Sequence, residues 1–363
     1  MKKNKFDLIL LIAVITLVIF GIIMIYSSSH IWALYKYGDS LKYVKAQIIF
    51  FIIGTIVMII LSKVPYKYYL DKANIILGVC FLLLVLVLIP GIGTIRNGSR
   101  SWFGIGSFGV QPSEFAKLGL IIFFSRYLSK NDRDLKKIIK GVLPILLIAL
   151  FAFGLIMLQP DFGTGMVMVV SLISLLFVSG VAINFFISLG ILGILGIVGL
   201  IISAPYRLQR IFSFINPWKD PLGSGFQIIQ SLYAIGPGGL LGFGFGNSRQ
   251  KHFYLPEPQT DFIFSIISEE FGFLGVLIIG TLFITILIRG IMISLKAKDL
   301  FSKYLAFGIT FGIIFQAVLN LMVVIGLVPV TGITLPFLSY GGSSLLISMT
   351  SVGILLNISR YQK

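Results

Sequence analysis

Long apolar stretches alternate with short polar segments along the whole chain. A membrane-spanning helix needs about 20 mostly apolar residues, and ten stretches come close to that length. They are Leu8–Tyr26, Ala46–Leu61, Ala73–Pro90, Ser113–Leu128, Gly141–Leu158, Gly165–Val181, Asn184–Ser203, Phe262–Arg289, Tyr304–Gly326 and Gly341–Ile358. The pattern predicts an all-α fold: one polytopic membrane domain over residues 1–363 with ten transmembrane helices.

Composition and charge support this interpretation and give it an orientation. Hydrophobic residues make up 57% of the chain and charged residues only 12%, about half the charged fraction of a typical soluble protein. Ten spans place both termini on one face, which carries 18 of the 29 Lys and Arg residues, whereas the other face carries ten. Because the richer face is normally cytoplasmic, we expect both termini in the cytoplasm. The net charge of +16 is then mainly a topology signal and does not indicate nucleic-acid binding.

Polar, Gly-rich and Pro-rich segments are concentrated on the outer face, at residues 90–112, 159–165, 205–261 and 327–344. The longest joins the seventh and eighth spans and includes an apolar stretch, Phe226–Ile235, that predicts a half-helix or an interfacial helix. Its glycine-rich runs fit either flexible turns or a backbone nest for an anion. Loops on a rigid scaffold usually carry function, so we expect the active side to face outward.

Acidic and basic side chains in or beside the spans are candidate functional residues. Glu114 and Lys117 are three residues apart, so they share one helix face and can form an ion pair. Glu269 lies deeper in the eighth span, where it can pair with Lys117 or hydrogen-bond to a neighbouring helix. We expect these three residues and Asp161 to have structural roles around a cavity. Asp261 directly precedes the eighth span, where it is either a helix N-cap or a carboxylate fixed at the membrane surface.

Basic residues on the outer face outnumber acidic ones. Such an excess suits an anionic ligand such as a phosphate or a pyrophosphate. The candidate ligands of that anion are Arg96, Arg100, Arg210, Arg249 and Lys251.

Short motifs follow one another along the chain. They are Asn97-Gly-Ser-Arg-Ser-Trp102, Gln111-Pro-Ser-Glu114 with Lys117, Gln159-Pro-Asp161-x-Gly-Thr164, Asn216-Pro-Trp218-x-Asp-Pro221, Gly225-Phe-Gln227, Gly236-Pro-Gly-Gly239, Leu255-Pro-Glu-x-x-Thr-Asp261-Phe, and Gly332-Ile-Thr-Leu-Pro336 followed by Tyr340-Gly-Gly342-Ser. In this order they closely resemble the SEDS family, which includes the FtsW, RodA and SpoVE proteins, over nearly the whole chain. The run from Ser248 to Asp261 is most similar to the sporulation and division branch.

The resemblance implies a ten-helix membrane glycosyltransferase that links lipid II disaccharide units into glycan strands on the outer face of the cytoplasmic membrane. It implies a role in cell division or spore cortex synthesis, with a class B penicillin-binding protein as the crosslinking partner. Lipid II, the growing glycan strand and membrane lipids are the other expected partners. The resemblance also implies that Asp261 is the catalytic residue.

The expected reaction makes a β-1,4 bond from an α-linked sugar pyrophosphate and therefore inverts the anomeric carbon. One displacement needs a base for the acceptor hydroxyl and positive charge for the leaving pyrophosphate. Asp261 fits the base, and the basic residues above, with a divalent cation such as Mg²⁺ or Mn²⁺, fit the leaving group. Glycoside hydrolysis needs two close carboxylates. The long outer loop has only one close acidic pair, Glu257 and Asp261, so hydrolysis is less favoured. Two other hypotheses stay open: a transporter that flips a lipid-linked precursor, and a scaffold for partner proteins.

Overall fold

The structure is a computed structural model, and it describes residues 5–96, 98–105, 108–132, 135, 137–202, 208, 212 and 214–362. The long helices are α1 (Leu8–Tyr37), α2 (Lys42–Lys63), α3 (Lys67–Leu86), α4 (Pro112–Lys130), α5 (Leu143–Met157), α6 (Phe162–Val178), α7 (Ile183–Ile202), α8 (Phe226–Ile235), α9 (Ile263–Leu295), α10 (Leu300–Val324) and α11 (Gly342–Ser359). Every predicted span coincides with one of these helices. The predicted half-helix is α8.

The helices have the length and composition of membrane spans. Seven in the described part of the chain are long and apolar enough to cross a membrane: α1, α2, α3, α5 with the π-helical turn Ile138–Val142 before it, α9, α10 and α11. α6 and the first part of α7 are shorter apolar helices. α4 carries four charged side chains, which lower its hydropathy: Glu114, Lys117, Arg126 and Lys130. The protein is therefore a multi-pass membrane protein, and ten complete crossings stay a prediction.

The first helix is longer than predicted, since it continues past Tyr26 to Tyr37. The polar residues that follow Tyr26 do not end the helix because the bundle satisfies them. Ser27 Oγ donates to Glu270 Oε1 at 2.6 Å, and Ser29 Oγ donates to the Ile25 carbonyl at 2.6 Å.

The segment before α4 contains a small antiparallel sheet that the all-α prediction missed. Its strands β1 (Thr94–Arg96), β2 (Ser99–Ile105) and β3 (Phe108–Val110) lie in the order β1-β2-β3. Gly98, between β1 and β2, has a φ of 81°, a conformation that glycine adopts at little cost. An Asn-Gly pair is the strongest short signal for a hairpin, so Asn97-Gly98 was the sequence signal for this sheet.

A break interrupts α9 at Gly272, where φ is 58° and ψ is −156°. The main-chain groups freed by the break bond to residues 238–244, which we call the glycine-rich segment. The four hydrogen bonds are Phe243 N to Glu269 O at 3.0 Å, Gly244 N to Glu270 O at 2.9 Å, Phe273 N to Gly239 O at 2.9 Å, and Leu274 N to Leu240 O at 3.1 Å. Unpaired main-chain groups are costly in a membrane, so the glycine-rich segment stabilises the broken helix.

The glycine-rich segment is thus a packing partner of α9. A Cβ atom at Gly272 would lie 2.5 Å from the Gly242 nitrogen, and one at Gly242 would collide with the Glu270 backbone. The Phe243 and Gly244 amides already donate to α9, so these two groups are not available to an anion-binding nest.

Polar contacts join α1 to α9 at the start of α1 and again in its second half. At the start, Asp7 caps α1 by accepting from the Leu10 amide at 3.0 Å and pairs with Arg289 of α9 at 2.7 Å. In the second half of α1, Ser27 donates to Glu270. α1 is therefore held along its length against the helix that begins after Asp261.

We predict that Ser224 and Lys298 lie on opposite sides of the membrane. Both are exposed, and they flank the single crossing made by α9. In a Cys80→Ala background, Ser224→Cys should react with an impermeant maleimide in intact cells, and Lys298→Cys only after permeabilisation. Labelling of both cysteines from the same side would contradict the fold and the orientation.

Candidate active site

Asp261 lies between a loop, residues 255–260, and the start of α9. Phe262 occupies the N-cap position of α9, one residue after Asp261. The N-cap interpretation of Asp261 is therefore wrong. Its carboxylate accepts a hydrogen bond from Thr260 Oγ1 at 2.9 Å, and the residue is half-buried. Asp261 is thus a carboxylate held by the loop, one residue before the N-cap of α9.

The backbone of Asp261 is fixed by Asn320 of α10. The Asn320 amide donates to the carbonyls of Asp261 and Ile333, both at 2.8 Å. One helical turn earlier, Gln316 Nε2 donates to the Thr334 carbonyl at 3.0 Å. α10 therefore joins the start of α9 to residues 331–341, two segments that carry motifs of the sequence.

Glu114 and Lys117 form the predicted ion pair, with Lys117 Nζ 2.9 Å from Glu114 Oε2. Both side chains are almost completely buried, and Lys117 Nζ also donates to Gln316 Oε1 at 2.6 Å. A cavity of about 40 Å³ adjoins the pair and is also lined by Ser171 and Ser348. Apolar side chains form most of its lining, and the polar groups lie at Glu114, Lys117, Gln316 and the serines. The pair thus connects α4 to the same helix that holds Asp261.

Asp161 has a structural position at the start of α6. Its Oδ1 accepts from the Thr164 amide at 3.2 Å and so caps the helix. Its Oδ2 accepts from Gln111 Nε2 at 2.8 Å and from Ser113 Oγ at 3.1 Å. This carboxylate therefore ties α6 to the start of α4, as its predicted structural role requires.

Two of the predicted anion ligands, Arg96 and Arg100, are half-buried on the β1–β2 hairpin. The Arg96 guanidinium carbon lies 5.0 Å from the centre of the Trp102 ring. Burial raises the pKa of the Tyr340 phenol, and the positive charge of Arg96 opposes that rise. The Tyr340 amide donates to the Gln259 carbonyl at 2.8 Å. Arg96 therefore belongs to the surroundings of the loop that precedes α9.

The other three predicted anion ligands have different fates. Arg249 is exposed, and its guanidinium carbon lies 4.9 Å from the centre of the Phe243 ring. Arg210 lies outside the described residues. Lys251 is buried, and its ammonium pairs with Glu270 at 3.1 Å and donates to the Gly246 carbonyl at 2.5 Å. This placement contradicts a direct contact of Lys251 with a pyrophosphate, because a buried, paired ammonium presents no donor to an outer ligand.

Glu269 also has partners other than the predicted ones. It accepts from Ser248 Oγ at 2.5 Å and from the Arg249 amide at 2.9 Å, so the predicted pairing of Glu269 with Lys117 is wrong. The role of Ser27 in binding Glu270 was missed. Glu269 and Glu270 are adjacent carboxylates inside an apolar span. Their position indicated that polar side chains of other segments must form hydrogen bonds or ion pairs with them.

Metal binding by the protein alone is not supported at this site. Within the described residues, no three His, Cys, Asp or Glu side chains come together as a possible metal site. Protein-held Mg²⁺ is usually bound through carboxylates, and the acidic side chains described above are separately engaged.

The whole chain matches a family model. A model of the FtsW, RodA and SpoVE proteins, described as "Cell cycle protein", matches residues 7–363. The chain belongs to the FtsW/RodA/SpoVE family. Among curated relatives of this family, stage V sporulation protein E of Bacillus subtilis is 54% identical, over 100% of this chain and 99% of that protein. A probable peptidoglycan glycosyltransferase FtsW of Trichlorobacter lovleyi is 42% identical, over 99% of this chain and 94% of that protein. The predicted resemblance to the sporulation and division branch is confirmed.

Solved structures of the FtsW/RodA/SpoVE family share this fold. One belongs to a study of the structural coordination of polymerization and crosslinking by a peptidoglycan synthase complex. It is 30% identical to this chain, with a TM-score of 0.80, and covers 99% of both chains. The rod shape determining protein RodA of Thermus thermophilus is 29% identical, with a TM-score of 0.71, over 99% of this chain and 98% of RodA.

We predict that Glu114→Ala lowers the yield of folded protein and its melting temperature. Removing one partner leaves the Lys117 charge buried and unpaired, which typically costs about 3–5 kcal/mol. Size-exclusion profiles and thermal unfolding in detergent measure the effect. The matched control is Glu114→Gln with Lys117→Met, which removes both charges and should recover most of the stability. Normal yield and stability of Glu114→Ala would show that the pair is incidental.

Proposed function

We propose that this protein is a peptidoglycan glycosyltransferase that polymerises lipid II into glycan strands on the outer face of the cytoplasmic membrane. Membership of the FtsW/RodA/SpoVE family supports this proposal, together with relatives that are named as peptidoglycan glycosyltransferases. The observation that carries it is the placement of Asp261. This carboxylate is half-buried at the start of a spanning helix, and Asn320 fixes its backbone.

In the proposed reaction, the acceptor sugar hydroxyl attacks the anomeric carbon of a lipid-linked donor sugar. Asp261 takes the hydroxyl proton while the new C–O bond forms. The bond from the anomeric carbon to the pyrophosphate breaks on the opposite face, and its electron pair leaves with the lipid pyrophosphate. A single displacement therefore inverts the anomeric carbon, which converts an α-linked donor into a β-linked product.

The leaving pyrophosphate gains negative charge and needs cations. Arg249 is exposed and therefore accessible to a lipid phosphate. Arg96 and Arg100 lie on the hairpin, and Arg96 also acts on Tyr340 beside the loop that leads to Asp261. We assign these three arginines to the leaving group, together with Arg210. The expected Mg²⁺ or Mn²⁺ would have to arrive with the pyrophosphate, and no step here depends on it.

We predict that Asp261→Asn abolishes polymerisation by the purified protein but leaves it folded and inserted. The amide keeps the shape of the carboxylate and cannot accept the acceptor's proton, and loss of a general base typically slows a reaction by about 10²–10⁴-fold. Gel analysis of glycan strands made from lipid II measures the rate. Glu257→Gln, which removes the neighbouring carboxylate of the same loop, is the matched control and should keep near-normal activity.

The opposite outcome would remove Asp261 as the base. Wild-type rates in a well-folded Asp261→Asn protein would mean that its carboxylate only organises the loop. The assay also separates the alternatives, since a lipid flippase or a scaffold would make no strands from lipid II in detergent. Transporters often contain helices with a break like the one at Gly272 of α9. The polymerisation assay is therefore needed to distinguish a flippase from a glycosyltransferase.

We further propose a class B penicillin-binding protein as the partner. The solved structure of a peptidoglycan synthase complex that coordinates polymerization and crosslinking supports such a pairing. Co-expression of this chain with the class B penicillin-binding protein of the same cell should yield a stable complex that polymerises lipid II faster than this chain alone. Equal rates for the isolated chain and for the complex would contradict activation by the partner.

A further inference from the structure

A second cavity lies at the end of the bundle opposite Asp261. It has a volume of about 300 Å³ and opens between α3 and α4. Its lining includes two cations, two carboxamides and two apolar side chains: Arg126, Lys130, Asn74, Asn131, Leu77 and Phe123. α4 starts beside the Asp161 network and ends at Lys130, so the whole length of α4 separates this cavity from the candidate active site.

The cations of this cavity have no carboxylate partner in the described part of the chain. Arg126 and Lys130 are four residues apart and therefore lie on the same face of α4. Arg126 donates to Asn74 Oδ1 of α3, which holds the guanidinium at the cavity wall. The ion pairs among the described residues include neither cation. Three acidic residues are close to the cavity in sequence: Asp71 and Asp132 are exposed to water, and Asp134 lies outside the described residues.

The cavity changes from polar to apolar toward the middle of the membrane. Leu77 follows Asn74 by one helical turn, and Phe123 precedes Arg126 by one turn, so both lie about 4.5 Å deeper along their helices. Beyond them, α3 exposes further apolar side chains, such as Val79 and Leu82. A ligand that fits this gradient has an anionic head for the cations and an apolar tail for the helix surface.

We propose that this cavity binds the phosphate headgroup of an anionic phospholipid, with an acyl chain running along α3. Basic pockets between transmembrane helices are suited to such headgroups. Arg126 and Lys130 donate to the phosphate oxygens, and the carboxamides of Asn74 and Asn131 donate to the phosphate or to the polar group attached to it. A free phosphate would satisfy the cations and leave the apolar part of the cavity without a ligand.

The test measures lipid binding to the purified full-length protein by native mass spectrometry and by thermal unfolding. The probes are phosphatidylglycerol, phosphatidylcholine with the same acyl chains, and inorganic phosphate. We expect phosphatidylglycerol alone to bind at low stoichiometry and to raise the melting temperature. Arg126→Gln with Lys130→Gln should weaken its binding at least about tenfold, since each cation near a membrane surface contributes on the order of tenfold or slightly less in affinity for anionic lipid.

The control is a second double variant that loses the same number of positive charges outside the cavity. Lys63→Gln with Lys67→Gln removes two exposed cations from the same end of the bundle, outside the cavity, and should leave binding unchanged. Equal loss in both double variants would overturn the proposal in favour of diffuse surface charge, and equal protection by inorganic phosphate would overturn the lipid assignment. Equal binding of the two lipids to the wild type would also contradict it. If the double variant at the cavity does not fold, Lys130→Gln, at the exposed end of α4, provides the same comparison against Lys67→Gln.

Discussion

The requirement that buried charges find partners organises this bundle. Charged groups inside a membrane protein are costly unless they are paired or hydrogen-bonded, and two such contacts hold α1 against α9. Asp7 binds Arg289, and Ser27 binds Glu270. At helical rise, Asp7 and Ser27 are about 30 Å apart, which is about the thickness of the hydrocarbon core. The two polar contacts between α1 and α9 are therefore separated by about the thickness of the hydrocarbon core.

The same requirement determines where the outer loop lies. Glu270 binds Lys251, and Glu269 binds Ser248 and the Arg249 amide. These contacts anchor residues 248–251 to α9 only a few residues before the loop that leads to Asp261. Asn320 then holds Asp261 from α10. The candidate base is thus positioned by contacts on both sides of it.

Periodicity and hydropathy predicted the positions of the spans, because the length of an apolar run must match the thickness of the hydrocarbon core of the membrane. They also predicted the Glu114–Lys117 pair, since a spacing of three residues places two side chains on one helix face. The role expected for Asp261 came from family motifs. A capping role was an equally good interpretation of its position next to an apolar run.

What the sequence could not predict depends on contacts between distant segments. Lys251 looks like an outer cation until Glu270 and Ser27 are brought next to it from two different helices. The glycine-rich segment looks like a flexible loop because its partner is a break in a helix more than twenty residues away. The hairpin was a different case, since the Asn97-Gly98 signal was local and was overlooked among the polar residues around it.

The break at Gly272 divides α9 into a short helical part, which follows Asp261, and a long helical part, which ends at Leu295. A continuous helix transmits a rotation or a tilt along its whole axis, whereas at Gly272 the chain has no continuous ladder of main-chain bonds. Both parts are instead fastened to the glycine-rich segment, the short part that follows Asp261 through the carbonyls of Glu269 and Glu270, and the long part through the amides of Phe273 and Leu274. The glycine-rich segment is therefore the link between the two parts, and a change in its conformation would alter the angle between them. Because Asp261 is the residue that precedes the short part, and Asn320 of α10 holds its backbone, such a change would be felt next to the candidate base.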